Sequence, residues 1–500
     1  MVRVDVGGAA RQLVAGLVAE PWGRVTPSVY ETGRLVTLAP WLAGHRQRIA
    51  FLLRTQRADG GWGGPDGYAL VPTLSATEAL LATGDGDRVR AAAERGLAAL
   101  TRWGRGVRQS IPDMPAIELI VPALTELVND HLDRHDRPRL PLPAGIDGAR
   151  LGAVRAALAA GRPAPEKLLH AWEVVGGAAP DVRPQPPGTV GASPAATAAW
   201  LGGRGAPDAT GTARQYLEAA VRRYGGPVPC ATPITVFERA WTLSWLAEAG
   251  VPVTVPDVVL RELADAVGAN GTPAGPGLPQ DADTTAVALY ALAQLGRERE
   301  PDSLWAYETE THFCTWPGEE GRSATVNAHV LEAFGHYVAE RPDAAPRYGR
   351  AVQKLTAWLH ANQEADGAWR DRWHASPYYA TACCAPALAR FGSGPAATEA
   401  VGRAVDWVIS TQRADGSWGW WRGTAEETAY AVRVLLARPD EASGRAVARG
   451  YPHLVGAVRR RSVGGSADPA MWHDKDLYLP RAIVRAAVLA AVHQAQRSFS

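Results

Sequence analysis

The sequence predicts an all-α protein built from stacked helical hairpins, as in α/α barrels. Three observations carry that expectation. Ala-rich segments with apolar residues at helical spacing recur, for example Arg90 to Thr101, Ala213 to Val221, Ala286 to Leu295 and Ala482 to Gln496. Gly- and Pro-rich loops separate them, and the period-two alternation of half-buried strands is scarce. A short motif also repeats: Gln56 to Trp62, Gln363 to Trp369 and Gln412 to Trp418 share Gln, Asp, Gly and Trp at the same spacing. Each copy follows an apolar helical segment, namely Phe51-Leu52-Leu53, Leu355 to Leu359 and Val405 to Ile409. The physics suits a helix end followed by a tight turn. Gly supplies the turn, Asp caps the next element, and Gln with Trp clasps the outgoing helix. Repeats of this kind imply hairpins that bury their faces against their neighbours.

Five hundred residues are enough for two or three domains with sizeable cores. A formal charge of +1 gives no sequence-wide field for nucleic acid or an anionic membrane. The four cysteines, Cys230, Cys314, Cys383 and Cys384, form no CxxC pair and no disulfide framework, as expected of reduced thiols in a cytoplasmic protein. Residues Met1 to Glu20 carry Asp5 and lack a long apolar core and cleavage site, so they read as a surface helix rather than a signal peptide. No apolar run approaches the roughly 20 residues needed to span a bilayer. Tryptophan, at 18, outnumbers tyrosine at 13 and phenylalanine at 6. Indoles offer the strongest cation–π face, and they also fill cores and stack on sugars.

The Gly/Pro-rich stretch from Gly268 to Pro279 ends just before Asp281-Ala282-Asp283-Thr284-Thr285-Ala286. Taken alone, that string reads more readily as an ordinary helix start with an Asp cap than as a catalytic pair. It also offers Asp281 and Asp283 as a coupled carboxyl pair. Burial and a neighbouring carboxylate both favour the protonated form of such a group, which a general acid requires.

Several blocks together resemble the class II terpene cyclases. The Gln/Trp repeats are those of squalene–hopene cyclase and its relatives. Thr26-Pro27-Ser28-Val29-Tyr30-Glu31-Thr32 resembles the PSAYDTA segment of class II diterpene cyclases, and Asp281 to Ala286 resembles their DxDD-T-A motif. Cys314 to Gly318 with Thr325-Val326-Asn327 looks like their next block. Trp369 to His374, Ser376 to Tyr379, Thr424 to Tyr430 and Trp472 to Tyr478 resemble the bacterial branch. The likeness spans residues 26 to 478 and is nearest to the halimadienyl (tuberculosinyl) diphosphate synthase type, which shares the DxDTT variant.

That resemblance implies two α/α-barrel domains, γ at residues 25–265 and β at 266–500, with residues 1–24 an amino-terminal helix of β. It implies Asp283 as the acid that protonates an isoprenoid alkene, Asp281 as its supporting carboxyl and Asn327 as a hydrogen-bond partner of the acid. Thr284 stands where the commonest motif has Asp, which suggests a cation that rearranges before proton loss. Trp316, Trp373, Tyr378, Tyr379, Trp420 and Trp421 are the expected cavity walls, and Arg372 and Lys475 the expected phosphate ligands. Mg²⁺ is the implied cofactor, with Glu118 and Asp113 as its candidate ligands. His329 shares the helix of Asn327, but a lone His is more often structural. The chain lacks DDxxD and NSE-type motifs, so the diphosphate of the substrate is expected to survive. Geranylgeranyl diphosphate is the expected substrate, farnesyl diphosphate the alternative, and the enzyme is expected to work as a monomer or homodimer. A glycan-active α/α-barrel enzyme, a zinc prenyltransferase subunit and a noncatalytic scaffold are the competing classes. None of them accounts for the repeats and the acid motif together.

Overall fold

A computed structural model describes residues 3–498 apart from 85, 106–110, 177–180, 203–210, 320 and 461–467. Helices dominate, and the described strands are four two-residue pieces in two small antiparallel pairs. Six inner helices form a closed ring: Thr235–Glu248, Ala282–Gln294, Ala324–Glu340, Pro377–Phe391, Ala425–Ala437 and Arg481–Ser498, the last returning to pack on the first. Their Ala-rich faces let neighbours approach closely, and one continuous hydrophobic core fills the ring. Val6–Ala19, Asp257–Ala266, Ala345–Ala361, Gly394–Ser410 and Glu441–Arg459 pack outside it.

A second, smaller ring comprises Val29–Leu38, Leu70–Thr83, Ile117–Asp133, Trp172–Val175 and Pro194–Gly202, again closed on itself. The fold is therefore a pair of α/α barrels, as expected. The amino-terminal helix Val6–Ala19 buries Val6, Ala10, Leu13, Val14 and Leu17 against the larger barrel. The division between barrels departs from the expected boundary at 265. Trp241, Leu243 and Leu246 of Thr235–Glu248, with Val259 and Leu263 of Asp257–Ala266, belong to the larger core. The cores thus divide ahead of Thr235. Composition does not mark this point, because the connection carries no loop richer in Gly and Pro than those inside the barrels.

The Gln/Trp repeats behave as joints. The indole N–H of Trp62, Trp369 and Trp418 donates to the carbonyls of Leu52, Leu359 and Val408 at 2.7, 2.9 and 2.7 Å. Each thus closes the end of the helix before it. Gln56, Gln363 and Gln412 donate to the turn glycine of their own motif at 2.9, 2.7 and 2.9 Å, and to Ala92, Ala400 and Ala446 of the next outer helix at 2.9 Å each. The Asp of each motif accepts from the amide two residues on, so it caps its own turn rather than the next element. Gly60 sits at φ 89°, and a Cβ there would lie 2.5 Å from the Arg95 carbonyl oxygen.

The short hairpin Trp472–His473 and Leu477–Tyr478 leaves the larger barrel and seats its turn against the smaller one. Lys475 is fully buried and ion-paired with Glu31 and, at 3.0 Å, with Glu173. Its ammonium also donates to the His170 carbonyl at 2.8 Å and to Ser193 Oγ at 2.9 Å. Asp476 accepts from the Val29 and Tyr30 amides at the start of Val29–Leu38, where the helix dipole favours an anion. Asp474 binds His170 Nε2 at 2.7 Å. Lys475 is therefore a clamp between barrels and not the phosphate ligand that its sequence position suggested, because every ammonium proton is already engaged. Lys475→Met would leave Glu31 and Glu173 buried without their cation. Stability should fall by about 3–5 kcal/mol, read from the denaturant midpoint.

Candidate active site

The loop after Gly268 delivers the acid motif through a two-residue pairing, Thr272–Pro273 with Gln280–Asp281. Asp281 then caps Ala282–Gln294. Its Oδ1 accepts from the Thr284 amide at 2.6 Å and its Oδ2 from the Thr284 hydroxyl at 3.0 Å. Both readings of the string hold at once, since the cap and the carboxyl pair are the same residues. Burial pushes the Asp281 carboxyl up to about 7, and the nearby Asp283 charge adds to this against the Thr284 hydrogen bonds. Thr284 is thus a donor to Asp281.

Asp283, two residues beyond the cap residue Asp281, keeps 14% of its side chain exposed. Its Oδ1 lies 2.6 Å from Nδ1 of His329, whose side chain is 7% exposed. Burial opposes a charge on His329, yet Asp283 and Cys383 outweigh it and hold the imidazole pKa well above its ordinary value. Asp371 lies within electrostatic reach of Asp283 and caps Ala324–Glu340, accepting from Ser323 Oγ at 2.8 Å and the Thr325 amide at 3.1 Å.

Asn327 does not touch the acid. Its Oδ1 accepts from the Phe313 amide at 2.9 Å, and its Nδ2 donates to the Phe313 and Ser323 carbonyls at 3.0 and 2.8 Å. It fixes the loop whose Thr315 carbonyl accepts the Ala282 amide at 3.0 Å, and so braces the acid helix at one remove. Two residues on a helix point about 200° apart. Asn327 facing the loop therefore sends His329 to the opposite side, toward Asp283. That arithmetic was available in the sequence and identifies the residue that the single-His argument set aside.

Aromatic rings surround the acid. Tyr379 and Tyr478 lie within electrostatic reach of Asp283. The indole N–H of Trp241 donates to Tyr379 Oη at 2.9 Å, and the Trp241 ring meets His329 edge-on at 5.6 Å. Trp472, Phe237 and Tyr430 continue this wall. Of the expected wall residues, Tyr379 belongs here. Tyr378 turns the other way, against Trp407 of the outer helix Gly394–Ser410 at 4.6 Å, as adjacent helical residues must when one faces in. Trp420 is 49% exposed beneath Arg370, so it lies on the surface. Trp421 meets Tyr68 and Asp66 of the smaller barrel and joins the two halves.

Trp316 and Trp373 form an edge-to-face pair at 5.5 Å. Arg372 lies over Trp373 at 5.5 Å and Lys167 over Trp316 at 5.0 Å. Both indole N–H groups and Arg372 Nε are buried without hydrogen-bond partners. Four donor-bearing side chains from both barrels thus make one contiguous cationic and aromatic patch. Lys167 had no sequence signal, because only the fold brings it to residue 316. Asp113 accepts from Arg372 at 3.2 Å, whereas Glu118 is a surface residue paired with Arg150 at 3.4 Å. The two carboxylates do not meet, and no group of three His, Cys, Asp or Glu suited to a metal occurs among the described residues. Of the two expected carboxylates only Asp113 lies beside Arg372, which is also paired with the buried Glu319 at 3.7 Å, and Asp113 fits a Mg²⁺ that draws its remaining ligands from phosphate. No helix among the described residues is long and apolar enough to cross a membrane.

The squalene–hopene cyclase C-terminal domain family matches residues 320–469. The ent-copalyl diphosphate synthase of a Streptomyces species is 45% identical over 98% of this chain and 96% of its own. The solved structure of the ent-copalyl diphosphate synthase from Streptomyces platensis has a TM-score of 0.92 and 44% identity, covering 98% of this chain and 99% of that one. The type B diterpene cyclase of Mycobacterium tuberculosis is 27% identical over 57% of this chain and 56% of its own. Agreement of this depth from one end of the two barrels to the other makes the chain a member of the class II diterpene cyclase family.

Proposed function

We propose that the protein cyclises geranylgeranyl diphosphate to a bicyclic labdane-type diphosphate, with Asp283 as the proton donor. The observation that carries this reading is the 2.6 Å contact of Asp283 with His329 beneath the Tyr379–Trp241–Trp472 wall. A carboxyl can protonate an unactivated alkene only if the carboxylate it leaves is stabilised at once. An imidazolium donating from Nδ1 to Oδ1 does this and leaves Oδ2 free to carry the transferred proton. Desolvation behind rings without nucleophiles then lets the cation close two rings before water intervenes.

The labdane skeleton follows from the role of Thr284. Its hydroxyl donates to Asp281, so the Thr in place of Asp belongs to the support of the acid and not to the quenching of the cation. Methyl migration was expected from the resemblance to the halimadienyl type and from a hydroxyl standing in place of a carboxylate near the cation. The names of the similar Streptomyces enzymes agree with an unrearranged product.

The diphosphate is held by Arg372 and Lys167, with the free N–H groups of Trp316 and Trp373 as further donors. Asp113 would hold a Mg²⁺ there, which when bound neutralises phosphate charge. In this reading the phosphate grip takes one end of the substrate and the proton donor the other, which would set the chain direction. The reading is of a cytoplasmic enzyme, monomeric or homodimeric, acting on a prenyl diphosphate without nucleic acid.

Asp283→Asn should lower turnover by about 10³-fold or more with the melting temperature unchanged, since an amide has no acidic proton to give. Near-normal turnover of that variant overturns the assignment. Incubation with geranylgeranyl and farnesyl diphosphates, phosphatase treatment and NMR should give a labdane alcohol with unmigrated methyl groups. A rearranged skeleton overturns the labdane reading, and a solely drimane product overturns the chain length. Arg372→Ala should raise KM by about 10–100-fold, the loss of one charged hydrogen-bond partner, while kcat changes less. Chelation of Mg²⁺ should act on the same parameter.

A further inference from the structure

The Thr424 to Tyr430 block holds two acidic residues, and only one of them serves the start of its helix. Glu427 accepts from Thr424 Oγ1 at 2.8 Å and from the Trp420 amide at 2.6 Å. Glu426 belongs neither to that cap nor to the acid. It is buried, and its Oε1 accepts from Trp472 Nε1 at 2.8 Å, Tyr430 Oη at 3.0 Å and His374 Nε2 at 3.3 Å. His374 Nδ1 takes the Ser376 amide at 3.0 Å, which leaves Nε2 as the donor to Glu426. We propose that Glu426 is the positioning residue for the far end of the cavity wall. It aims the Trp472, Tyr430 and His374 rings and adds its charge to them, so that the carbocation closes its second ring before proton loss.

These rings continue a row that starts at the acid. Trp241 meets His329 edge-on at 5.6 Å and donates to Tyr379 Oη at 2.9 Å. Tyr379 in turn stacks on His374 at 4.8 Å and lies against Trp472 at 4.6 Å and Tyr430 at 5.4 Å. Asp283 thus stands at one end of the row and Glu426 at the other. The Glu426 end runs toward the cationic patch, since His374 follows Trp373 in the chain and the His473 amide donates to the Trp373 carbonyl at 2.9 Å. The three donors come from the hairpin strand Trp472–His473, the helix Ala425–Ala437 and the segment ahead of Pro377–Phe391. A single carboxylate therefore fixes the orientation of rings that belong to three elements.

A buried anion ordinarily needs a counter-charge. In the same barrel Arg433 answers Glu248 and Glu332. Among the described residues no Lys or Arg pairs with Glu426, whose partners are the three ring donors. Its place in the first turn of Ala425–Ala437 sets it at the positive end of the helix dipole, which favours the anion. A ring whose N–H or O–H is held by a carboxylate is richer in electrons, so its face attracts a cation more strongly. The inference rests on the reading above, in which Asp283 protonates the terminal alkene. The next alkene then attacks the cationic carbon; one ring closes, and the charge passes to the far carbon of that alkene. Each closure moves the charge one alkene further from Asp283. A second closure gives the bicyclic cation, whereas proton loss before it gives a monocyclic diphosphate. An anion at the far end of the row favours the second closure.

The test is the ratio of monocyclic to bicyclic product from geranylgeranyl diphosphate, measured on the full-length enzyme by gas chromatography and mass spectrometry after phosphatase treatment. Glu426→Gln keeps the acceptor oxygen and the shape but removes the charge. Its ratio should rise by about 3–30-fold over the wild type, the factor that corresponds to losing a cation–π contact. Its kcat should fall while KM changes by less than about twofold, because the diphosphate keeps its own ligands. The ratio is set within each turnover, so a smaller folded fraction cannot move it. Trp472→Phe keeps a ring and cuts the shortest of the three hydrogen bonds. It should shift the ratio in the same direction, and it carries the test if Glu426→Gln folds poorly by circular dichroism. An unchanged ratio in the folded variant, at whatever rate, overturns the proposal. Undiminished turnover by Asp283→Asn, or a wild type that makes no bicyclic diphosphate, would instead overturn the reading beneath it.

Discussion

The structure is organised around one hydrogen bond, between Asp283 Oδ1 and His329 Nδ1 at 2.6 Å. Most of the larger barrel is an apolar ring of Ala-rich helices, in which an isolated charge would be very costly. A carboxyl can persist there only with a partner, and the partner must come from a neighbouring stave. Ala282–Gln294 and Ala324–Glu340 supply the two residues from adjacent positions in the ring. The distance between them depends on where each helix begins. Asp281 caps the first helix, while Asp371 and Ser323 cap the second. Asn327 then ties the Phe313–Thr315 loop of the second helix to the start of the first. Acidic residues that look like caps and acidic residues that look like chemistry are therefore one continuous framework. Moving either helix end would move the proton donor.

Much of this was legible in the residues. Helical spacing and the Gln/Trp repeats carried the fold class, because both are local and periodic. Asp281 and Asp283 were readable because a cap and an acid pair share one string. What escaped depended on orientation or on contacts distant in sequence. Tyr378 and Tyr379 look alike on paper, yet the step of about 100° between adjacent helical residues sends the first to Trp407 and the second to Trp241. Lys475 looked like a free cation until Glu31 and Glu173 were brought to it from the other barrel. Lys167 carried no signal in the sequence, and only the fold lays it over Trp316. Trp420 had the right neighbours in sequence and the wrong face in space.

The two barrels divide their labour chemically. The larger holds the acid, its imidazole and nearly all of the aromatic wall. The patch of Arg372, Trp373, Trp316 and Lys167 sits where both contribute, and Trp421 against Tyr68 joins them nearby. A long apolar substrate with one charged end matches that separation. Its charge is met at the seam, and its hydrocarbon is taken into the ring.

The hairpin clamp bears on how the chain is made. Lys475 follows Glu173 by 302 residues, so a ribosome completes the smaller barrel long before the cation for its two buried carboxylates exists. Until then Glu31 and Glu173 lack the ammonium that they share in the finished fold. One hairpin brings Trp472 to the cavity wall and Lys475 to its anions in the other barrel. A polypeptide that stops short of this hairpin therefore lacks both the tie between the barrels and one wall of the chamber in which a cation would form.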